Sequence, residues 1–317
     1  MMFKMKISLS LCLVCCCVLL RAQPLSKTQL PKILGEGIVS TGDYETHAAF
    51  SPTGDSLYFL KCTADLNSCA ICVSYHIKGK WTSPVIVPFS GKYLDVDPFV
   101  TKDGNTLYFV SNRPVSNGDT LHNDWDIWKV TRTGSNWGKP IHLDAPVNST
   151  ASEFYPTIAD NGNLYFGSGR PGGKGASDIY CARSVNGKFA EPENLGDAVN
   201  TANNEYEPFI APDESYIIYM ATIPAGLVNA DFYTSYRIDG KWTKAIKMQA
   251  PFNSPATEWA PKVTRNGQHF YFGSTRNKVT DTLPQHETLP VFEKRLRATG
   301  NGLGDIYYVD FSAIKIK

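Results

Sequence analysis

One aromatic strand signature recurs five times along the chain and limits its fold more than any other feature. It reads LYF, IIY or FYF, and its third residue falls at Phe59, Phe109, Phe166, Tyr219 and Phe272, at intervals of 50, 57, 53 and 53. A repeat of this length marks a propeller or a solenoid. Each unit keeps one internal order. An acid opens it (Glu45, Asp95, Glu153, Glu205, Glu258), and proline follows three residues later at Pro98, Pro156, Pro208 and Pro261, with Ala48 in the first copy. A short apolar run leads into a turn such as KDGNT, DNGN or RNGQ, which suits a tight hairpin. The aromatic strand, a loop, Asp-Ile-Tyr or a variant, and a second NGK or DGK turn complete the unit.

Strand, turn, strand, loop, strand, turn, strand is the plan of a four-stranded antiparallel blade. No sustained 3.6-residue apolar period interrupts it, apart from a possible one over Leu289 to Leu296. The chain is therefore expected to be all-β, a single five-bladed β-propeller. Blades are placed at about 43–92, 93–147, 148–199, 200–252 and 253–317. The last unit stops after three strands. Residues 31–42 resemble the fourth strand of a unit with its link, so the N-terminal segment is expected to complete the last blade and leave no open sheet edge. A six-bladed alternative needs a further unit, for which no residues are left over.

Acid, proline, Asp-Gly, LYF, Ser-x-Arg and Asp-Ile-Tyr together resemble the WD40-like β-propeller repeat of the TolB type. The resemblance spans almost all of the chain after the first 22 residues and is strongest in blades 2 and 3. Blade 1 lacks the proline, the Ser-x-Arg and the aspartate, and blade 4 lacks Ser-x-Arg. Proteins of this type usually have six blades. They include periplasmic scaffolds of envelope complexes and propellers attached to enzymes, so the resemblance implies a fold and leaves function open.

Residues 1–22 carry Lys4 and Lys6 ahead of the apolar run Ile7 to Leu20, the layout of a secretory signal. A single N-terminal anchor is the alternative, and the lipoprotein pattern is absent around Cys12, Cys15, Cys16 and Cys17. Residues 23–30 form a linker. Removing the signal leaves 28 basic against 30 acidic residues, a net −2, and no second long apolar run. That balance gives no case for nucleic acid and no membrane span in the exported chain. The expected product is a periplasmic or secreted monomer without cofactor or metal, and its partner is a protein or an envelope glycan.

Antiparallel order brings the opening acid, the arginine and the aspartate of a unit to one end of its blade. Asp95, Arg113 and Asp126, then Glu153, Arg170 and Asp178, then Glu258, Arg276 and Asp305 are expected to be clamps, each guanidinium forked between two carboxylates. Recurrence argues for structure over catalysis. In blade 1, where the arginine and aspartate are missing, a Cys62–Cys69 disulfide is expected to staple the loop. Cys72 is the rival partner, with free thiols or a Cys69/Cys72 metal pair as further alternatives. The loop in LYFGSGRPGGKGASDIY lacks the phosphate-loop pattern, because Ser168 and Gly175 stand where glycine and Ser or Thr are required.

Two residues after each opening acid come His47, Asp97, Tyr155, Glu207 and Ala260, with Tyr206 and Trp259 beside them. His47, Asp97, Tyr155, Tyr206, Glu207 and Trp259 are the expected binding residues at a channel mouth. Asp97 and Glu207 are the acid/base pair of an alternative, glycan-acting reading. The oversized loop at Val279 to Gly300 is expected to cover that mouth or bind a partner.

Overall fold

A computed structural model describes residues 30–116, 124–222, 230–278 and 286–311. The export segment, all but the last residue of the linker, and residues 279–285 of the long loop lie outside the described residues.

The chain forms five antiparallel sheets in sequence order around one axis. The innermost strands are Tyr44–Phe50, Asp95–Val100, Glu153–Ile158, Asn204–Ile210 and Glu258–Val263. Ser56–Cys62, Thr106–Ser111, Leu164–Ser168, Tyr216–Thr222 and His269–Ser274 pair with them and carry the aromatic trios. The third strands start at Cys69, Asp126, Asp178, Asp231 and Asp305. The fourth positions are short, two-residue pieces such as Lys80–Trp81 and Val85–Ile86. Second-strand residues are buried on both faces, Leu57 and Phe59 on one and Tyr58 and Leu60 on the other, because each sheet packs against a neighbour on either side.

The last blade takes its outer strand from the other end of the chain. Lys32–Ile33 pairs antiparallel with the Asp305–Asp310 strand, Lys32 opposite Tyr308 and Ile33 opposite Tyr307. The Leu34 N–H donates to Ile306 O at 2.8 Å and the Glu45 N–H to Gly304 O at 2.7 Å. Five apolar clusters fill the five seams between blades. The seam that joins last to first holds Leu34, Val39, Leu57, Phe59, Tyr271 and Ile306. An open array would leave that seam exposed to water.

The possible helical period is real but short: Leu289–Leu296 is a helix with no buried residue. The loop that carries it leans on the closing segment. Thr299 Oγ1 and Lys278 Nζ both donate to Glu36 Oε1 at 2.7 Å, and Asn301 Nδ2 donates to Gly42 O at 3.1 Å. This is what the described part of the loop does: it buttresses the latch.

Leu34 joins the latch to the closing seam, so Leu34→Ala should cost about 3 kcal/mol of unfolding free energy in urea melts. A loss well below 1 kcal/mol would mean that the ends do not hold the ring shut.

Candidate functional site

The five innermost strands share one irregularity. Between Thr46 and Ala49, Val96 and Phe99, Phe154 and Thr157, Tyr206 and Phe209, and Trp259 and Lys262, the register against the second strand shifts. Two residues there oppose one, which is a β-bulge. The residue opposite is Phe59, Phe109, Phe166, Tyr219 or Phe272, the third residue of each trio. The first bulge residue takes left-handed backbone in every blade: His47 at φ 56°, Asp97 at 55°, Tyr155 at 52°, Glu207 at 53° and Ala260 at 55°. Proline follows in four of them, where the bulge needs no ladder N–H. These five positions are the variable ones of the sequence, and the bulge turns them toward the axis.

They meet there. His47 Nε2 lies 3.1 Å from Asp97 Oδ1 and 3.3 Å from Glu207 Oε1, so one imidazole of blade 1 joins carboxylates of blades 2 and 4. His47 Nδ1 lies 3.0 Å from Thr46 Oγ1, which also accepts the Trp259 indole N–H. The Tyr155 N–H donates to Asp97 Oδ2 at 2.9 Å, and the Ala260 N–H donates to Glu207 Oε2. Tyr155 spans the axis to donate from its hydroxyl to Pro261 O at 2.9 Å. Burial pushes the His47 imidazole down, but hydrogen bonds and charge from Asp97 and Glu207 outweigh it and raise it to about 9. Trp259 is buried and stacks on Tyr44 at 5.7 Å, whereas Tyr206 stays half-buried. The expected binding residues are thus brought together, mostly as a plug.

On the turn side of that plug the axis opens into a cavity of about 630 Å³. It is bounded by the first turns of blades 1, 2, 4 and 5 and by Phe99, Phe209 and Lys262, two residues beyond the first residue of their bulges. Sequence reading placed the mouth at the opposite end and missed Lys262. Its signal was a charge at a register position that holds Ala49, Phe99, Thr157 and Phe209 elsewhere. Lys262 is 6% exposed, and its ammonium sits over the Tyr155 ring at 4.1 Å and the Phe99 ring at 4.9 Å. Burial lowers it to about 7 against the pull of Asp97 and Glu207.

The clamp residues assemble differently from the expected fork. Arg113 pairs with Asp95, Arg170 with Glu153 at 3.1 Å and Arg276 with Glu258 at 3.1 Å. Each guanidinium then donates to carbonyls of the preceding link: Phe89, Pro146 and Val147, or Pro251 and Phe252. Each also lies over the trio aromatic, 4.8 Å from Phe109, 5.1 Å from Phe166 and 4.8 Å from Phe272. The second acids do other work. Asp126 meets His142 at 3.0 Å, Asp178 accepts the Lys174 and Gly175 N–H groups, and Asp305 accepts the Gly300 N–H at 2.8 Å. Burial raises Asp305 to about 6.

The opening acid has a partner that sequence reading overlooked. Thr41, Ser149, Thr201 and Ser254, each four residues earlier, give it both an N–H and a hydroxyl. In blade 1 the missing arginine is replaced by Lys61, whose Nζ is 2.7 Å from both Glu45 and Asp43. Blade 4 makes no such ion pair among the described residues, and burial raises Glu205. Cys62 and Cys69 are joined by a disulfide across the ends of paired strands. Cys72 and Cys181 are free and buried, and burial pushes both thiols up. Among the described residues no cluster of His, Cys, Asp or Glu could hold a metal ion, and no helix is long and apolar enough to cross a membrane.

Fold and site together define a five-bladed β-propeller with a charged bridge at its axis and a cavity on the turn side. No protein-family model matches the chain, and no curated protein matches it. Among solved structures it is similar to a putative TolB from Agrobacterium tumefaciens, at 16% identity and TM-score 0.47, over 85% of this chain and 91% of that one. It is also similar to an α-L-arabinofuranosidase from Lactobacillus brevis, at 14% identity and TM-score 0.47, over 86% and 91%. A GH43 protein, BlXynB from Bacillus licheniformis, shares 15% identity at TM-score 0.45, over 75% and 50%. At these values no activity carries over.

His47 and Lys262 act on stability with opposite sign. His47, raised above its ordinary 6.5, stabilises fully below pH 6.5 and loses that contribution as pH climbs through 9. Lys262, lowered from 10.5, costs stability below pH 7 and less as pH climbs toward 10.5. His47→Gln should therefore be destabilised by on the order of 3 kcal/mol at pH 6, with the gap to the native chain closing by pH 9.5. A gap that does not change with pH would contradict the bridge.

Proposed function

We propose that the protein is an exported, monomeric, non-enzymatic propeller that acts as a binding or scaffold module for a protein or an envelope glycan. The observation that carries this reading is the His47 bridge. Asp97 and Glu207 are the carboxylates a glycan-acting enzyme would use, yet an imidazole occupies the space between them. Each carboxylate also accepts a backbone N–H from the next blade. A glycosidase needs its two carboxyl groups to flank a sugar bond or a water. Here both are committed to holding blades together, and the repeated clamps likewise spend their charges on shape.

Recognition would then fall to surfaces that the scaffold carries. The half-buried Tyr206 lies at the link side of the plug, and the blade 5 loop adds an exposed helix with Leu289, Val291 and Phe292. The secretory layout of residues 1–22 supports export.

The test pairs binding with turnover. The exported chain, Asp97→Asn and Glu207→Gln are applied to a glycan array and to insoluble envelope polymer, and incubated with nitrophenyl glycosides. Retention on array or polymer by all folded variants, without nitrophenol release, is the expected result. Nitrophenol release that falls roughly a hundredfold in either variant would make the protein an enzyme.

A further inference from the structure

The turn-side cavity plays no part in the reading above and rests on different residues. Its walls are apolar and flat where Phe50, Trp81 and Tyr271 line it, with Phe50 and Tyr271 only 4.5 Å apart. Its charged lining is basic throughout: Lys102, Lys262 and Arg265 contribute, and no aspartate or glutamate does. Two of these cations are already engaged. Arg265 is paired with Asp160 at 2.6 Å, and Lys102 donates to the Asp160 carbonyl at 2.9 Å.

Lys262 differs. Among the described residues its ammonium has no ion-pair partner within 4 Å and no hydrogen-bond acceptor, only the faces of Tyr155 and Phe99. The nearest acids, Asp97 and Glu207, are held by His47 and by backbone N–H groups on the far side of the bulges. An ammonium on a buried side chain at a cavity wall, touched only by ring faces and attracted by Asp97 and Glu207 from a distance, is costly, and a charge-assisted hydrogen bond to it is correspondingly strong.

We infer that this cavity is a binding site for a small organic monoanion, a carboxylate on a flat apolar body. The carboxylate meets the Lys262 ammonium at the floor, and the body lies against Phe50, Trp81 and Tyr271. A volume of about 630 Å³ is in the range of small-ligand sites. The basic lining favours entry of an anion, and the aromatic walls supply most of the buried area. With burial holding Lys262 near 7, an arriving carboxylate makes its charged form the favoured one.

Calorimetric titration of the exported chain at pH 7 tests this with phenylacetate, indole-3-acetate and the neutral phenylacetamide. Phenylacetate should bind at least roughly tenfold more tightly than its amide. Lys262→Met should abolish that preference while melting no lower than the native chain, because it removes an unpaired buried charge. Should that variant fail to fold, the acid-to-amide comparison in the native chain still decides. Three results would overturn the site: no binding of either carboxylate up to about 10 mM, equal affinity for acid and amide, or a preference that survives in folded Lys262→Met.

Discussion

One imidazole shared by two carboxylates sets the interior of this molecule. His47 reaches the axis from blade 1, Asp97 from blade 2 and Glu207 from blade 4, and the three meet within 3.3 Å. Buried charges are tolerable only when paired and hydrogen-bonded, and removing one member costs far more than the network returns. The remaining oxygen of each carboxylate is satisfied by the next blade's bulge. Blades 1 to 5 are thereby tied across the centre as well as along their seams.

The bulges make that network possible, and the third residue of each trio sits at their root. Phe59, Phe109, Phe166, Tyr219 and Phe272 oppose the bulge, are buried, and in three blades also carry the clamping guanidinium. The same side chain therefore connects inner strand, link and seam. The bulge aims its first residue at the plug and, in blades 1, 2, 4 and 5, the residue two further on at the cavity. That alternation divides the axis into a closed, charged layer and an open mouth with Lys262 between them.

Repeat period, turn chemistry and the unfinished last unit made the five-bladed ring and its closure legible in the sequence. Each is a local signal copied several times, so errors in one copy are corrected by the others. The axial positions were legible too, because they alone varied within an otherwise regular unit. What they do was not legible, since a single sequence does not say that side chains from blades 1, 2 and 4 converge. The forked clamp was misread for a similar reason. Antiparallel order brings Arg170 and Asp178 to the same end of a blade, but link carbonyls compete for the guanidinium, and loop N–H groups compete for the aspartate. Lys61 was passed over because its cation arrives from the strand, two residues before the position where arginine was sought.

The most direct measurement is the titration of the His47 ring followed by nitrogen-15 NMR in the folded chain. A bridge between two carboxylates requires the imidazolium to persist to a midpoint near 9. A midpoint at or below the ordinary value of 6.5 would show that Asp97 and Glu207 do not hold it, and the axis would need another explanation.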